Sequence, residues 1–155
     1  MTSQVSRDYA YVMPTIKRGP YTPLSSLHRL ESILQHKSDE LLRDAVGVGF
    51  SQIQVLQTLH RSVPLTQSAV AFKLHQTEAN VSRQLQLLKK KGLVNIARNK
   101  KDKRFREASL TPKGTKVFDK AEKVLSAQHK DLLKLLNAAE VKAFDRAVSH
   151  LLQAL

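Results

Sequence analysis

The chain has no cysteine among its 155 residues. Disulfides, thiolate metal sites, cysteine nucleophiles and thiol-based redox sensing are thereby excluded. No run of about 18 apolar residues occurs either, so no segment reads as a membrane span. The opening stretch, MTSQVSRDYAYVMPT, lacks the continuous apolar core of a secretory signal, and a cytoplasmic location is expected. Missing too are a Gly-rich phosphate loop, a nucleophile elbow and an HExxH pattern, so the chain is not read as an enzyme. His28, His36, His60, His75, His129 and His150 are scattered. His28 and Glu31, one helical turn apart, come nearest to a ligand set with His36. Such residues are more often simply solvent-facing, and neither a metal nor a cofactor is expected.

Acidic residues are scarce as well. Thirteen Asp and Glu face twenty-six Lys and Arg, a formal charge of +13. That imbalance calls for a polyanionic partner, nucleic acid ahead of an acidic membrane surface. No aromatic RNA-stacking motif is present, which favours double-stranded DNA over RNA. Apolar residues make up 41%, enough for a core, and the length favours one compact domain, alone or with an extension.

Residues 1–22 read as an extended arm, because Pro14, Gly19 and Pro20 interrupt any helix. Arg7, Lys17 and Arg18 allow the arm to touch DNA; it could equally cross a dimer. Residues 23–155 read as a single domain. Leu24, Leu27, Leu30, Ile33, Leu34, Leu41, Leu42 and Val46 recur at spacings of three and four, one stripe on a first helix of about 24–46. Gly47 and Gly49 end it, and Ser51 is the expected cap of a second helix carrying Ile53, Leu56 and Leu59. Val63-Pro64-Leu65 reads as a short extended link. Thr66 and Thr77 each cap a short helix, and Gly92 stops the second, giving a helix-turn-helix over about 66–91. Val94, Ile96, Ala108 and Leu110 alternate as on two strands around a basic loop, which predicts a hairpin, or wing, over about 93–110. Thr111-Pro112 opens another long helix, and Asn137 with Glu140 has capping-box spacing for the last one; together they cover about 112–155. The expected fold is mainly α with a small β-hairpin wing: a winged helix-turn-helix core between long terminal dimerisation helices.

The charge is concentrated. From Arg83 to Arg106 lie ten basic residues and one acid, Asp102. A solvated helix face usually interleaves both signs, so a one-sign block here reads as a phosphate footprint. Helical geometry sets Val81, Leu85 and Leu88 on one face as core anchors. The opposite face carries Ala79, Asn80, Arg83, Gln86 and Lys90, and Asn, Arg and Gln are the side chains that match base edges in the major groove. With Thr77 and Ser82 these form the expected recognition set. Arg98, Lys100, Lys101, Asp102, Lys103 and Arg104 form the wing set. The generous terminal stripes, with Leu27, Leu30, Leu34, Phe144, Val148, Leu151, Leu152 and Leu155, call for burial against a second copy.

These residues resemble a known family. LTQSAVAFKL, VSRQLQLLKKKGLV, DKR and SLTPKG, in that order and without gaps from KKGLV to SLT, are similar to the core of MarR-family regulators. A weaker match extends over about residues 24–155. The resemblance implies a triangular homodimer with one winged helix-turn-helix per half-site of a pseudo-palindromic operator. It implies that Arg104 enters the minor groove and that Asp102 steadies it, although a lone Asp among cations is also a common turn residue. Ile96 stands where the family is often basic, and Arg106 where it is often apolar. The expected function is a sequence-specific DNA-binding transcription regulator, a repressor by preference. A small-molecule effector of unknown identity is suggested by the resemblance alone. The alternative is a nonspecific, architectural nucleoid-type protein held by phosphate contacts only.

Overall fold

The computed structural model describes residues 23–62, 64–99, 102 and 104–154. The arm of residues 1–22 and the expected site residues Lys100, Lys101, Lys103 and Leu155 lie outside the described residues. Contacts divide the chain into two units, residues 1–35 and residues 36–155. The first unit contributes the opening turns of helix α1 (Pro23–Val46). There Leu24, Leu30 and Ile33 are exposed, and Leu27 and Leu34 are half-buried.

The second unit holds the rest of α1 and eight further elements: α2 (Phe50–His60), β1 (Leu65–Thr66), α3 (Gln67–Leu74), α4 (Glu78–Lys90), β2 (Val94–Arg98), β3 (Arg106–Leu110), α5 (Pro112–Leu133) and α6 (Ala138–Gln153). Helix α1 stops at Gly47, whose φ of +74° is the left-handed region that glycine enters without steric cost. The expected Ser51 cap gives way to Gly49. The carboxylate of Asp39 accepts the N–H of Phe50 at 2.8 Å, and Gln52 Oε1 accepts the N–H of Gly49 at 3.2 Å. Two orphan donors of α2 are thus met from outside the cap position, and Ser51 falls inside the helix. A side chain at position 49 would put its Cβ 2.4 Å from Asp39 Oδ1, so the carboxylate would have to shift from its place at the Phe50 N–H.

Leu56 and Val55 of α2, Val70 of α3, Val81 and Leu88 of α4, and Phe118 and Ala121 of α5 are fully or almost fully buried around one core. His60, at the end of α2, lays its ring against Phe118 with centroids 4.7 Å apart. Val94 of β2 and Ala108 of β3 close the core from the sheet side.

The sheet has three antiparallel strands in the order β1-β3-β2, one more than the expected hairpin. Within the hairpin the register runs from Val94↔Leu110 to Arg98↔Arg106. Leu65, the last residue of the expected link, and Thr66, the expected cap, pair with Ala108 and Glu107. Thr111 caps α5 through the N–H of Gly114 at 3.0 Å, with Pro112 at the first helical position. Gly114 is required there, because a Cβ would fall 2.0 Å from the Leu93 carbonyl oxygen. Helix α6 begins with the expected capping box: Asn137 Oδ1 accepts from Ala139 and Glu140, and Glu140 Oε2 accepts from the Asn137 N–H.

Candidate nucleic-acid interface

Two threonine caps set the geometry of the helix pair. Thr66 Oγ1 accepts the N–H of Ala69 at 3.2 Å, and Thr77 Oγ1 accepts that of Asn80 at 3.3 Å. Between them the chain turns at His75, whose φ of +51° is the left-handed cap of α3. Gln67 Nε2 donates to the Glu78 carbonyl at 3.2 Å, tying the start of α3 to the start of α4.

Val81, Leu85 and Leu88 are buried, so the opposite face of α4 is turned outward. On it Thr77, Arg83, Gln86 and Lys90 are exposed, while Asn80 and Ser82 are half-buried. Asn80 Nδ2 donates to Gln76 Oε1 at 3.0 Å, which orients the carboxamide and leaves its oxygen free of that bond. Leu87 shares this outward face and is 41% exposed. Sequence reasoning passed over it, since a leucine between Leu85 and Leu88 reads as core. An apolar group there offers contact to a thymine methyl.

The wing is closed by a network centred on Asn99. Its N–H donates to the Phe105 carbonyl at 2.9 Å, its Oδ1 accepts the N–H of Asp102 at 2.9 Å, and its Nδ2 donates to Glu107 Oε1. Asp102 does both things the sequence left open. Its Oδ1 accepts the backbone N–H of Arg104 at 3.0 Å, forming a tight turn. Its two oxygens also take Nε and Nη2 of Arg104 at 2.9–3.2 Å, a fork-on-fork pair. The Arg104 side chain lowers the Asp102 pKa, aided by the Arg104 backbone N–H, and Asp102 raises that of Arg104. Arg104 remains 86% exposed, so its orientation is fixed while its outer edge stays open.

Some lysines near this surface have internal work. Lys91 Nζ donates to the Gly47 carbonyl at 2.8 Å, Lys113 Nζ to the Lys91 carbonyl at 2.9 Å, and Lys120 Nζ to the Ala45 carbonyl at 2.8 Å. Each cation meets the carbonyl-rich end of a helix, where it is stabilising. Lys91 therefore stands apart from the rest of the basic block. Elsewhere, Phe144, Leu151 and Leu152 on α6 are exposed and Val148 is half-buried, and α6 has no buried residue. Among the described residues there is no cluster of three or more His, Asp or Glu suited to a metal, and no helix long and apolar enough to cross a membrane.

The family model that matches this chain is that of the MarR family, over residues 46–104, which spans α2, the helix pair and the wing. Over that segment the chain resembles the MarR family. A curated relative, the uncharacterized HTH-type transcriptional regulator YdgJ of Bacillus subtilis, is 28% identical over 94 residues. That match takes in 61% of this chain and 57% of the relative's length. Among solved structures, this chain is similar to apo MarR of E. coli (25% identity, 81% and 96% of the two chains, TM-score 0.68). It shares its fold with S. aureus MepR in complex with DNA (22% identity, 87% and 99%, TM-score 0.75). The transcriptional repressor CouR on a 23-mer DNA duplex has the same fold (23% identity, 84% and 92%, TM-score 0.74). YdgJ is named as a transcriptional regulator and CouR as a transcriptional repressor, and the mainly α, winged helix fold is the one expected.

Proposed function

We propose that this protein is a transcription regulator that binds double-stranded DNA sequence-specifically, as a homodimer on a pseudo-palindromic operator, and represses. The observation that carries this reading is the outward face of α4, with Arg83, Gln86 and Lys90, on the same compact unit as an Arg104 pre-set by Asp102. Arg83 and Gln86 offer forked donors and acceptors to base edges, and Arg104 suits a narrow minor groove. MepR and CouR, which share the fold, are seen on DNA, and this supports the assignment. The exposed apolar residues of α6 supply a surface for the second copy. Between α2 and α5 a cleft of about 500 Å³, lined by residues including Phe50, Ile53, Phe118, Leu125 and His129, gives an effector a place to bind. An effector there acts by shifting the population of dimers whose two heads match the half-sites.

Selection of bound sequences from a random duplex library tests the reading. An operator with two related half-sites is expected, held about 10³-fold or more tightly than random duplex at equal salt. Arg83→Ala is expected to cost about 1–3 kcal/mol and relax base preference, whereas Arg104→Ala weakens binding through the wing. If both variants bind the selected operator as the parent does, the recognition surface is wrong. The net charge of +13 favours one rival, an architectural protein held by phosphates alone. That rival predicts no enriched sequence and equal affinity for bulk DNA.

A further inference from the structure

The wing carries a feature that neither the recognition helix nor Arg104 explains. Arg98 and Arg106 are direct cross-strand partners at the outer end of the β2–β3 ladder. The next pair outward, Asn99 and Phe105, is hydrogen-bonded through the Asn99 N–H and the Phe105 carbonyl. By the alternation of antiparallel ladders, Arg98 and Arg106 form a non-hydrogen-bonded pair, the kind whose side chains lie closest, with Cα atoms about 4.5 Å apart. Both side chains leave the face that also carries Ile96 and Ala108, and both residues are exposed.

Like charges set directly opposite one another destabilise a hairpin. An acid within reach would remove that cost, but the wing's acids are engaged elsewhere. Asp102 is held by Arg104, and Glu107 accepts from Asn99 on the opposite face of the hairpin. Among the described residues, neither Arg98 nor Arg106 has a carboxylate within 4.0 Å. The residues outside the described set in this loop, Lys100, Lys101 and Lys103, are themselves cations. Two arginines set directly opposite one another, with no carboxylate on either among the described residues, can turn both guanidinium forks to one tetrahedral phosphate diester, whose free oxygens accept paired N–H donors.

We propose that Arg98 and Arg106 together form a clamp for a single backbone phosphate of duplex DNA. The clamp is distinct from the groove-reading contacts of α4 and Arg104. It rests on the DNA-binding reading above, which it deepens by giving the wing a sequence-independent anchor. One phosphate shared by two arginines is a positioning contact: it fixes the height of the wing on the duplex so that Arg104 meets the groove beside it.

The test is the salt dependence of binding to a short, fluorescein-labelled duplex of mixed sequence, followed by anisotropy between about 50 and 200 mM salt. Mixed sequence removes any dependence on an operator. Arg98→Ala/Arg106→Ala is expected to lower the slope of log K against log salt by about 0.9 per bound chain. At about 150 mM salt that corresponds to roughly fivefold weaker binding per chain. Either single variant keeps one guanidinium on the phosphate and loses less. A thermal melt that is unchanged or shifted upward shows that the variants fold, because the substitutions relieve like-charge repulsion. An unchanged slope in the double variant overturns the clamp and leaves the regulator reading standing. A fall of about 1.8 assigns the arginines to two phosphates and also overturns it. If the parent protein binds no duplex at all, the DNA-binding reading fails first and the clamp with it.

Discussion

Asp39 shows how one carboxylate can organise a helix that is not its own. It receives Nε of Arg43 at 2.6 Å and the N–H of Phe50 at 2.8 Å, so α1 supplies the negative charge at the start of α2. The Arg43 hydrogen bond is the main cause of a pKa held below the ordinary 3.8; desolvation, the next largest effect, opposes it, and the Phe50 N–H, the Arg43 charge and nearby His36 add to the lowering. A lowered pKa gives stability that is present above the unfolded value and lost as pH falls through the folded one. The melting temperature should therefore drop on acidification below about pH 4, and Asp39→Asn should flatten that drop. At neutral pH the same variant should cost about 1 kcal/mol, or about 3 °C, in a calorimetric melt. An acid limb identical in both proteins would remove Asp39 from this role. At this scale, legibility follows chain distance. Thr66, Thr77, Thr111 and Asn137 were readable as caps because each meets an N–H two or three residues on. The Asp39 bond spans eleven residues, and that of buried Ser38 to Gln128 spans ninety, and no local pattern reports such pairs.

Elements were legible in proportion to their length and to the strength of their punctuation. The helix pair and its exit at Gly92 read correctly because threonine, glycine and the core spacing of Val81, Leu85 and Leu88 agree. Strand β1 did not, since two residues cannot display a period and only their pairing with β3 makes them a strand. Helix α5 ends at Leu133, although the apolar line of the sequence runs on through Leu135 and Leu136. The reason is the capping box of α6: Asn137 must leave the helical conformation to cap, so the preceding residues close as tight i→i−3 turns, with Leu135 donating to Leu132 and Leu136 to Leu133 at 3.1 Å. The α4 cap carries a prediction at this scale. Thr77→Ala should fray the first turn of α4 at a cost of about 1 kcal/mol. Hydrogen exchange should show the loss at the amides of Asn80 and Val81, with Leu85 and Leu88 still protected. Because Asn80 and Arg83 stand in that half of the helix, operator affinity should fall with it. Equal protection of Asn80 in both proteins would mean that the hydroxyl does not hold this turn.

For the molecule as a whole, charge and apolar exposure point to two separate associations. The basic surface of α4 and the wing is proposed for DNA. The apolar residues of α6 are proposed for a second copy, since Leu152 is 69% exposed and Leu135, just before the helix, is 74% exposed. Leu151→Asp should weaken self-association by about a hundredfold or more in Kd, because a charge would enter an apolar contact. Sedimentation velocity should show a monomer where a dimer is expected of the parent; a dimer in both would move the interface elsewhere. The sequence disclosed these surfaces through composition, as a one-sign block and a surplus stripe. It was silent on how the cations divide their tasks. That Lys91 closes a helix end while Arg98 and Arg106 stand opposed depends on the register and on contacts across the fold.

The two-residue strand β1 has a mechanical consequence. Through it the root of the wing is riveted to the residue that caps α3, Leu65 to Ala108 and Thr66 to Glu107. A hairpin hinged only at its own ends could swing like a flap; this one is fastened along a second edge to the start of the helix pair. Torque applied at the wing tip is delivered to α3, and through the Gln67–Glu78 link to the first turn of α4. The helix pair and the wing are thus fastened into one plate, and a force that shifts the wing has to move the plate entire.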